Sequence, residues 1–334
     1  MKRLLAGLVA VGLVVGAVVV RGALDGNGGS GGGGGPDGTF RLRCGTDLAA
    51  VCERLAKDDS DLAVTVEDEG VTADRLAAPD ARVDFDAWLA AGPWADLVAD
   101  DRRIAGATGP LLGRPGPVLA SARAALLAQA DRAAVLQTHC GAAGVTWACV
   151  GDAAGRPWSE IGGPATWGAV KPGLAAPATG TGLVTLAQAV ASKLGTTDWA
   201  ANDLDDPAVA GWFDQLVGAA RQANPDGTDP ARRFLVIPAS FGAVGTLEGR
   251  STTAAGRRGA ESIYPEPVST AEVRLVPAAG RSAAAAADRV GTDQLRSALR
   301  AEGWPTGAAA GTRDPGLPSA GALQALRTRW DEVA

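Results

Sequence analysis

The chain has 334 residues, 46% of them hydrophobic, and a formal net charge of −6. This length corresponds to about two domains, since roughly 100–200 residues per domain is typical. The acidic balance, without a long basic run, argues against a nucleic-acid partner, and a single histidine, His139, disfavours most acid–base, nucleophilic and zinc sites.

The N-terminal segment has the order of an export signal. Lys2 and Arg3 precede an apolar run over residues 4–20, close to the lower limit for spanning a bilayer. Ala23 has Arg21 rather than a small residue at the critical spacing, and no lipid-attachment cysteine follows. We therefore favour an uncleaved anchor over residues 1–24, with the rest of the chain outside the cell membrane. Secretion after cleavage remains the alternative.

Residues 25–38 are glycine-rich and are interpreted as a flexible linker. A tether of this kind suits a domain held at a membrane.

The four cysteines favour disulfides, because the count is even and the chain is predicted to be exported. Three connectivities are possible, and the spacing favours Cys44–Cys52 and Cys140–Cys149. The alternative is free thiols, since Cys52 lies on the apolar face of a predicted helix. No CxxC or CxxH spacing indicates structural zinc.

The first elements form a β-α-β unit. Residues 39–43 and 62–66 are predicted strands. Between them, apolar residues at helical spacing predict a helix that begins near Asp47, with Thr46 as N-cap. This order predicts a parallel sheet.

The central segment is less regular. We predict a short strand leading into a loop and helix over residues 84–97, an extended segment over 113–121 and a helix over 122–134. Residues 145–150 fit either a strand or a helical turn.

The C-terminal half contains clearer periodicities. Helices are predicted from Thr179 onward, around residues 209–217, over 293–301 with Thr292 as N-cap, and over 319–333. The apolar run 234–237 is typical of a buried parallel strand, and 273–276 of another strand.

Two strand-to-helix junctions could bind a ligand. Glycine lets a ligand approach the backbone, and the first helical N–H groups lack partners within the helix. The alternative is simple helix capping. The residues are Gly45, Thr46 and Asp47 at the first junction and Thr179, Gly180 and Thr181 at the second.

Ordered segments resemble the bacterial extracellular solute-binding proteins with the type II periplasmic-binding fold. They are the opening Leu42–Leu48 turn, the Asp84-to-Trp94 segment with Trp88, the Gly116-Pro117-Val118-Leu119-Ala120 crossover, Trp158–Ile161, Pro177–Leu183, Tyr264-Pro265, and the tryptophan-ended stretches at Trp304 and Trp330. Gly116 replaces the serine usual in that family.

The resemblance implies an α/β fold of two lobes, each a mainly parallel sheet flanked by helices, with two hinge crossings. Lobe I would combine residues 39–115 and 255–334, and lobe II would be residues 116–254. The crossings would lie near Gly116 and Thr252. Function would be capture of a small ligand by hinge closure, for import through an ABC-type permease or for sensing.

Two residues outside the junctions are further candidates for the cleft. Trp88 could line the cleft or pack in the core, and Ser240 could close the cleft from lobe II or lie in an ordinary loop.

We expect no catalysis and no cofactor. Ser240 lacks a G-x-S-x-G context, and Asp84 and Asp86 fit a solvated or lobe-bridging pair better than an acid–base pair.

The ligand stays open between an anion, which helix starts favour, and a sugar or similar solute, which tryptophans suit. Asp47 weakens the anion interpretation because it would repel a negative ligand. The alternative function is an envelope interaction protein whose cleft has degenerated. A monomer is expected.

Overall fold

The computed structural model describes residues 38–225, 227, 229–249, 259–307 and 314–333. The predicted anchor, the predicted linker and Thr252 lie outside this part of the chain. No helix of the described residues is long and apolar enough to cross a membrane.

Eight strands form the sheet. They are β1 (Phe40–Gly45), β2 (Leu62–Glu67), β3 (Ala87–Ala91), β4 (Ala120–Gln129), β5 (Pro172–Gly173), β6 (Ala243–Leu247), β7 (Ala260–Ile263) and β8 (Thr270–Pro277). Their order is β2-β1-β3-β8-β4-β6-β5, and β7 also pairs with β4.

Helices surround the sheet. They are α1 (Ala49–Asp58), α2 (Glu69–Ala77), α3 (Trp94–Ile104), α4 (Ala130–Cys140), α5 (Trp147–Ala153), α6 (Gly180–Leu194), α7 (Pro207–Ala223), α8 (Pro230–Val236), α9 (Ala283–Val290), α10 (Thr292–Ala301) and α11 (Ala320–Glu332).

The parallel-sheet prediction holds only in part. Strand β1 lies parallel to β2 and to β3, as the predicted β-α-β unit requires, and β5 lies parallel to β6. Strand β8 is antiparallel to both β3 and β4, and β4 is antiparallel to β6 and β7. The sheet is therefore mixed, because the chain returns through β7 and β8 in the direction opposite to β4.

Strand β4 changes partners along its length. Residues Ala120 to Arg123 pair with β8, whereas Ala124 to Leu127 pair with β6 and Leu126 to Gln129 with β7. Strands β7 and β8 thus follow one another alongside β4, separated by residues 264–269. Two antiparallel segments therefore connect the β1–β3 part of the sheet with the β5–β6 part.

The helix predicted over residues 122–134 is wrong for its first eight residues, which belong to β4. Alanine favours helices in isolation, but these side chains are buried between two neighbouring strands, and tertiary packing overrides a weak local preference. Helix α4 begins only at Ala130.

The strand predicted over residues 234–237 is also wrong. Asp229 accepts hydrogen bonds from the backbone N–H groups of Ala231 and Arg232, and Pro230 occupies the first turn, so helix α8 forms here. Val236 and Ile237 are 73% and 54% exposed, whereas a buried strand would have covered both.

The ambiguous residues 145–150 lead into helix α5, whose N-cap Thr146 accepts from Cys149 N. The prediction that Thr46 caps the first helix is wrong. Thr46 is the first residue of a short 3₁₀ turn, Thr46–Leu48, that precedes α1. Thr292 is likewise the first helical residue of α10 rather than its cap.

Candidate functional site

Four chain junctions meet at one edge of the sheet. They are the turn after β1, the start of α2 after β2, the end of β3 and the start of α6. Thr181 N donates to Asp47 Oδ2 at 2.6 Å, and Gly70 N donates to the Ala178 carbonyl at 2.7 Å. These two contacts join the start of α6 to the junctions after β1 and β2.

Glycines make this close approach possible. A Cβ atom on Gly180 would lie 2.2 Å from the Ala91 carbonyl oxygen, and one on Gly70 would lie 2.8 Å from the Ala178 Cα. Any side chain at these positions would force the segments apart.

The structure brings together most of the residues singled out at the two sequence junctions. Gly45, Asp47, Gly180 and Thr181 lie in one cluster, which we call the junction site, together with Glu69. Thr46 is exposed and donates from its hydroxyl to Asp68. It therefore lies at the rim of the junction site.

Thr179 caps the helix α6. Its hydroxyl oxygen accepts from Gly182 N at 3.0 Å, and its own hydroxyl donates to the Ala176 carbonyl. The hydroxyl group thus both donates and accepts a hydrogen bond within its own turn, as expected if Thr179 acts as a helix cap.

Glu69 lies at the centre of the junction site. The residue is 0% exposed, and a Cβ atom on Gly45 would lie 2.0 Å from its Oε1. Burial raises the pKa of the Glu69 carboxyl well above its ordinary value, and the nearby Asp47 carboxylate raises it further. Backbone N–H groups of Glu69 itself, Ala91 and Gly180 oppose this rise.

Two known structures match the fold of this chain over most of their length. The iron-bound HitA from Pseudomonas aeruginosa has a TM-score of 0.54 at 10% identity, covering 89% of this chain and 99% of that one. The periplasmic binding protein AfuA from Actinobacillus pleuropneumoniae, with exogenous fructose-6-phosphate bound, has a TM-score of 0.52 at 13% identity, covering 88% of this chain and 96% of that one. The chain has the type II periplasmic-binding-protein fold. No family model and no curated protein matches the sequence.

Within this periplasmic-binding-protein fold, Trp88 is a core residue. It is 0% exposed on β3, where it pairs with Arg43 and Val276, and it packs among Trp94, Leu97 and Val98. Of the two positions considered for Trp88, cleft lining and core packing, the structure shows core packing.

Ser240 lies away from the junction site. It ends a short turn whose backbone bonds to Ile237. Strand β5 leads to α6 at its carboxyl end and pairs in parallel with β6, with Pro172 opposite Ala243. Ser240 precedes β6, so it lies toward the opposite end of these strands.

Asp84 and Asp86 are structural ion-pair partners. Asp84 accepts from Arg43 at 2.9 Å, and the buried Asp86 accepts from Arg281 at 2.8 Å and from Arg41 N at 2.7 Å. Both carboxylates join segments within residues 39–115 and 255–334, which are assigned to lobe I, so these ion pairs do not bridge the two predicted lobes.

Both disulfides predicted from spacing are present, Cys44–Cys52 and Cys140–Cys149. The first joins the end of β1 to helix α1 and so flanks Gly45 to Asp47. Both of its cysteines are 0% exposed. The disulfide therefore fixes the turn that carries Asp47.

Sequence reasoning missed Glu69. The available signal was its position: Asp68, Glu69 and Gly70 directly follow a predicted strand, just as Gly45 to Asp47 follow the first one. The carboxyl ends of parallel strands share one edge of a sheet, so an acidic residue next to a glycine at this place was a third candidate junction.

Proposed function

We propose that the chain is an extracellular, membrane-tethered solute-binding protein that captures a small ligand between two lobes at the junction site. The observation that carries the proposal is the 2.6 Å hydrogen bond between Asp47 and Thr181 N, which joins a strand end to a helix start far away in the chain. Crevices at the carboxyl ends of strands are the usual ligand sites of open α/β sheets.

The two lobes would be residues 39–115 with 255–334, and residues 116–254. The hinge would lie later in the chain than the crossings expected near Gly116 and Thr252: it would consist of the β4 segment where partners change between Arg123 and Ala124 and of the break between β7 and β8. Rotation about two adjacent antiparallel segments would open the junction site.

The chemistry of the junction site favours a ligand that carries hydrogen-bond donors. The Asp47 carboxylate and the Glu69 carboxyl stand on one side, and the start of α6 offers N–H groups and the Thr181 hydroxyl on the other. A polyol, an amine-bearing acid or a protonated carboxylic acid would satisfy both sides, whereas a fully ionised inorganic anion would be repelled by Asp47. HitA with iron and AfuA with a sugar phosphate show how different the solutes held by this fold can be.

The location is part of the proposal. Lys2 and Arg3 before an apolar run support an anchor with the binding domain outside, and an ABC-type permease or another membrane protein would be the partner. Protease added to intact spheroplasts should degrade the domain from residue 39 onward. A chain that stays fully protected would contradict this topology.

A second function is favoured by one observation: the chain's own Asp47 and Glu69 already fill the junction site. The fold would then present its surface to an envelope partner without taking up a solute.

A thermal-shift screen separates the two functions, because a ligand that binds only the folded state raises the melting temperature. Sugars, polyols, amino acids, amines and inorganic anions form the panel. Solute binding predicts a rise with at least one class, and Thr181→Ala should weaken that binding by about 1–3 kcal/mol.

Ser262→Ala is the matched control for this substitution. The Ser262 hydroxyl oxygen is also buried and without a partner among the described residues, but it lies in β7 opposite Leu127, level with the amino end of β6. Its loss should leave binding unchanged. No response of the parent protein to any class would contradict solute binding and favour the scaffold role.

A further inference from the structure

Glu69 is enclosed where the chain junctions meet. It is the first residue of α2 and is 0% exposed, and Gly45 leaves room for its carboxyl group. Since a Cβ atom at position 45 would lie 2.0 Å from Oε1 and 2.3 Å from Cδ, the glycine provides the space that the carboxyl group fills.

The surroundings of this carboxyl group are those of a bound carboxylate ligand. Backbone N–H groups of Ala91 and Gly180 lie near it, and Gly180 is the first residue of the 15-residue helix α6. N–H groups at a helix start are standard recognition groups for carboxylates. No ion pair joins Glu69 to a cationic side chain among the described residues.

Two buried polar groups in the junction site lack a hydrogen bond of full geometry within the described part of the chain. The Glu69 carboxyl group has backbone N–H groups of Glu69, Ala91 and Gly180 near it but none at full hydrogen-bond geometry. Thr181 Oγ1, on a residue that is 4% exposed, has no partner either. Buried polar groups are nearly always satisfied in folded proteins. Buried polar groups of this kind are expected in a binding site that surrounds a carboxyl group, and they are not expected in a packed apolar core.

We propose that the junction site is a binding site for a small carboxylic acid and that its occupant in this structure is the chain's own Glu69 side chain. Glu69 acts as an internal ligand, and a solute with a carboxyl group enters only by displacing it. The inference rests on the proposed function for the location of the site alone.

The test replaces the internal ligand with a free one. Glu69→Ala removes a CH₂–COOH group, which is the size of acetic acid, from the full-length protein. Melting temperatures of the parent and the variant are then measured against sodium acetate at about pH 5, with acetamide and sodium chloride as neutral and ionic comparisons. We expect acetate at about 20 mM to raise the melting temperature of the variant by about 3 °C or more, saturably, and to leave the parent unchanged.

Asp206→Ala is the matched control. Asp206 accepts from Ala208 N and Val209 N at the start of α7, but it is exposed, so its removal leaves a helix start open to water. This variant should not respond to acetate. An equal response of both variants, or no response of a folded Glu69→Ala variant, would overturn the internal-ligand proposal.

If Glu69→Ala does not fold alone, its refolding yield with and without acetate is the readout, and a yield that acetate does not raise would overturn the proposal. Glu69→Gln keeps a side chain of the same size in the site, so acetate should change neither its melting temperature nor its refolding yield. A positive result with acetate does not depend on the solute screen of the parent protein, so failure of the two proposals can be told apart.

Discussion

Asp47 and Thr181 stand 134 positions apart in the chain and are joined by a 2.6 Å hydrogen bond from the backbone N–H of Thr181 to the Asp47 carboxylate. The acceptor follows the first strand, and the donor lies in the first turn of the 15-residue helix α6. A carboxylate on a free N–H group of a helix start is a charge-assisted contact. It also places a negative charge beside the buried Glu69 carboxyl group.

Removal of this contact should destabilise the protein. We expect Asp47→Ala to lower the free energy of unfolding by about 1–3 kcal/mol, the range for hydrogen bonds to charged groups, and Asp47→Asn, which keeps an acceptor, to lower it by less. Urea denaturation measures both. Two variants with the stability of the parent would show that the contact contributes nothing.

Gly45 and Glu69 should be coupled. Gly45→Ala places a Cβ atom 2.0 Å from Glu69 Oε1 and should destabilise the protein by about 1–3 kcal/mol through overpacking. In a Glu69→Ala background the same substitution should cost much less, because the clashing atoms are gone. A double-mutant cycle by denaturation gives the coupling energy.

Gly211→Ala is the control for the glycine effect, since nothing lies within 4 Å of a Cβ atom there and the residue is inside helix α7. It should be stabilising by up to about 1 kcal/mol. Additive effects of Gly45→Ala and Glu69→Ala would contradict the described packing.

Stability should fall as the solution becomes more basic, because of Glu69. Its pKa in the folded protein is raised above the ordinary value of 4.5, first by burial and then by Asp47. Such a group contributes its stability fully below about its unfolded pKa, and that contribution is lost as the pH rises toward the folded pKa. Arg327, which lies beside Gly70, is engaged with Asp74.

Glu69→Gln removes this titration. Melting temperatures across the pH range should therefore fall less steeply for the variant than for the parent above about pH 5, and the variant should be the more stable of the two under basic conditions. Parallel pH profiles would show that Glu69 does not titrate differently in the folded state.

The disulfides give a further prediction. Removal of Cys44–Cys52 by a double alanine substitution should cost about 2–3 kcal/mol, as expected for a short closed loop, and should weaken the Asp47 contact by freeing its turn. Removal of Cys140–Cys149, with its similar sequence separation of 9 against 8, is the matched control and should cost similar stability. Alkylation of the unreduced, denatured protein should label no thiol.

Local patterns predicted several elements of the fold. The β-α-β start, helix α6 with its Thr179 cap, and helix α11 after Ser319 follow the sequence periodicity closely. In α1 and α11 the buried side chains recur at helical spacing, so short-range rules suffice. In α6 all residues from Gly180 to Ala191 are buried, and the Thr179 cap marks its start.

The wrong or missing predictions concern residues whose structure depends on contacts with residues far away in the sequence. The alanine-rich β4 is a strand only because β6, β7 and β8 pair with it, and none of these lies within 100 residues of it in the sequence. Glu69 was overlooked for the same reason. Its burial depends on Gly45, Ala91 and Gly180, which only the assembled sheet edge brings together.

The central claim is that two lobes close on the junction site, and the distance between them tests it most directly. A spin-label reagent should modify only the two introduced cysteines, Glu53→Cys in α1 and Gln222→Cys in α7. All four described native cysteines are in disulfides, and both introduced positions are exposed. Pulsed electron paramagnetic resonance then gives the distance distribution. We predict one narrow distribution for the parent and a shifted, broader one after Asp47→Ala with Glu69→Ala, since both closing contacts are lost. Superimposable distributions would contradict the hinged two-lobe account.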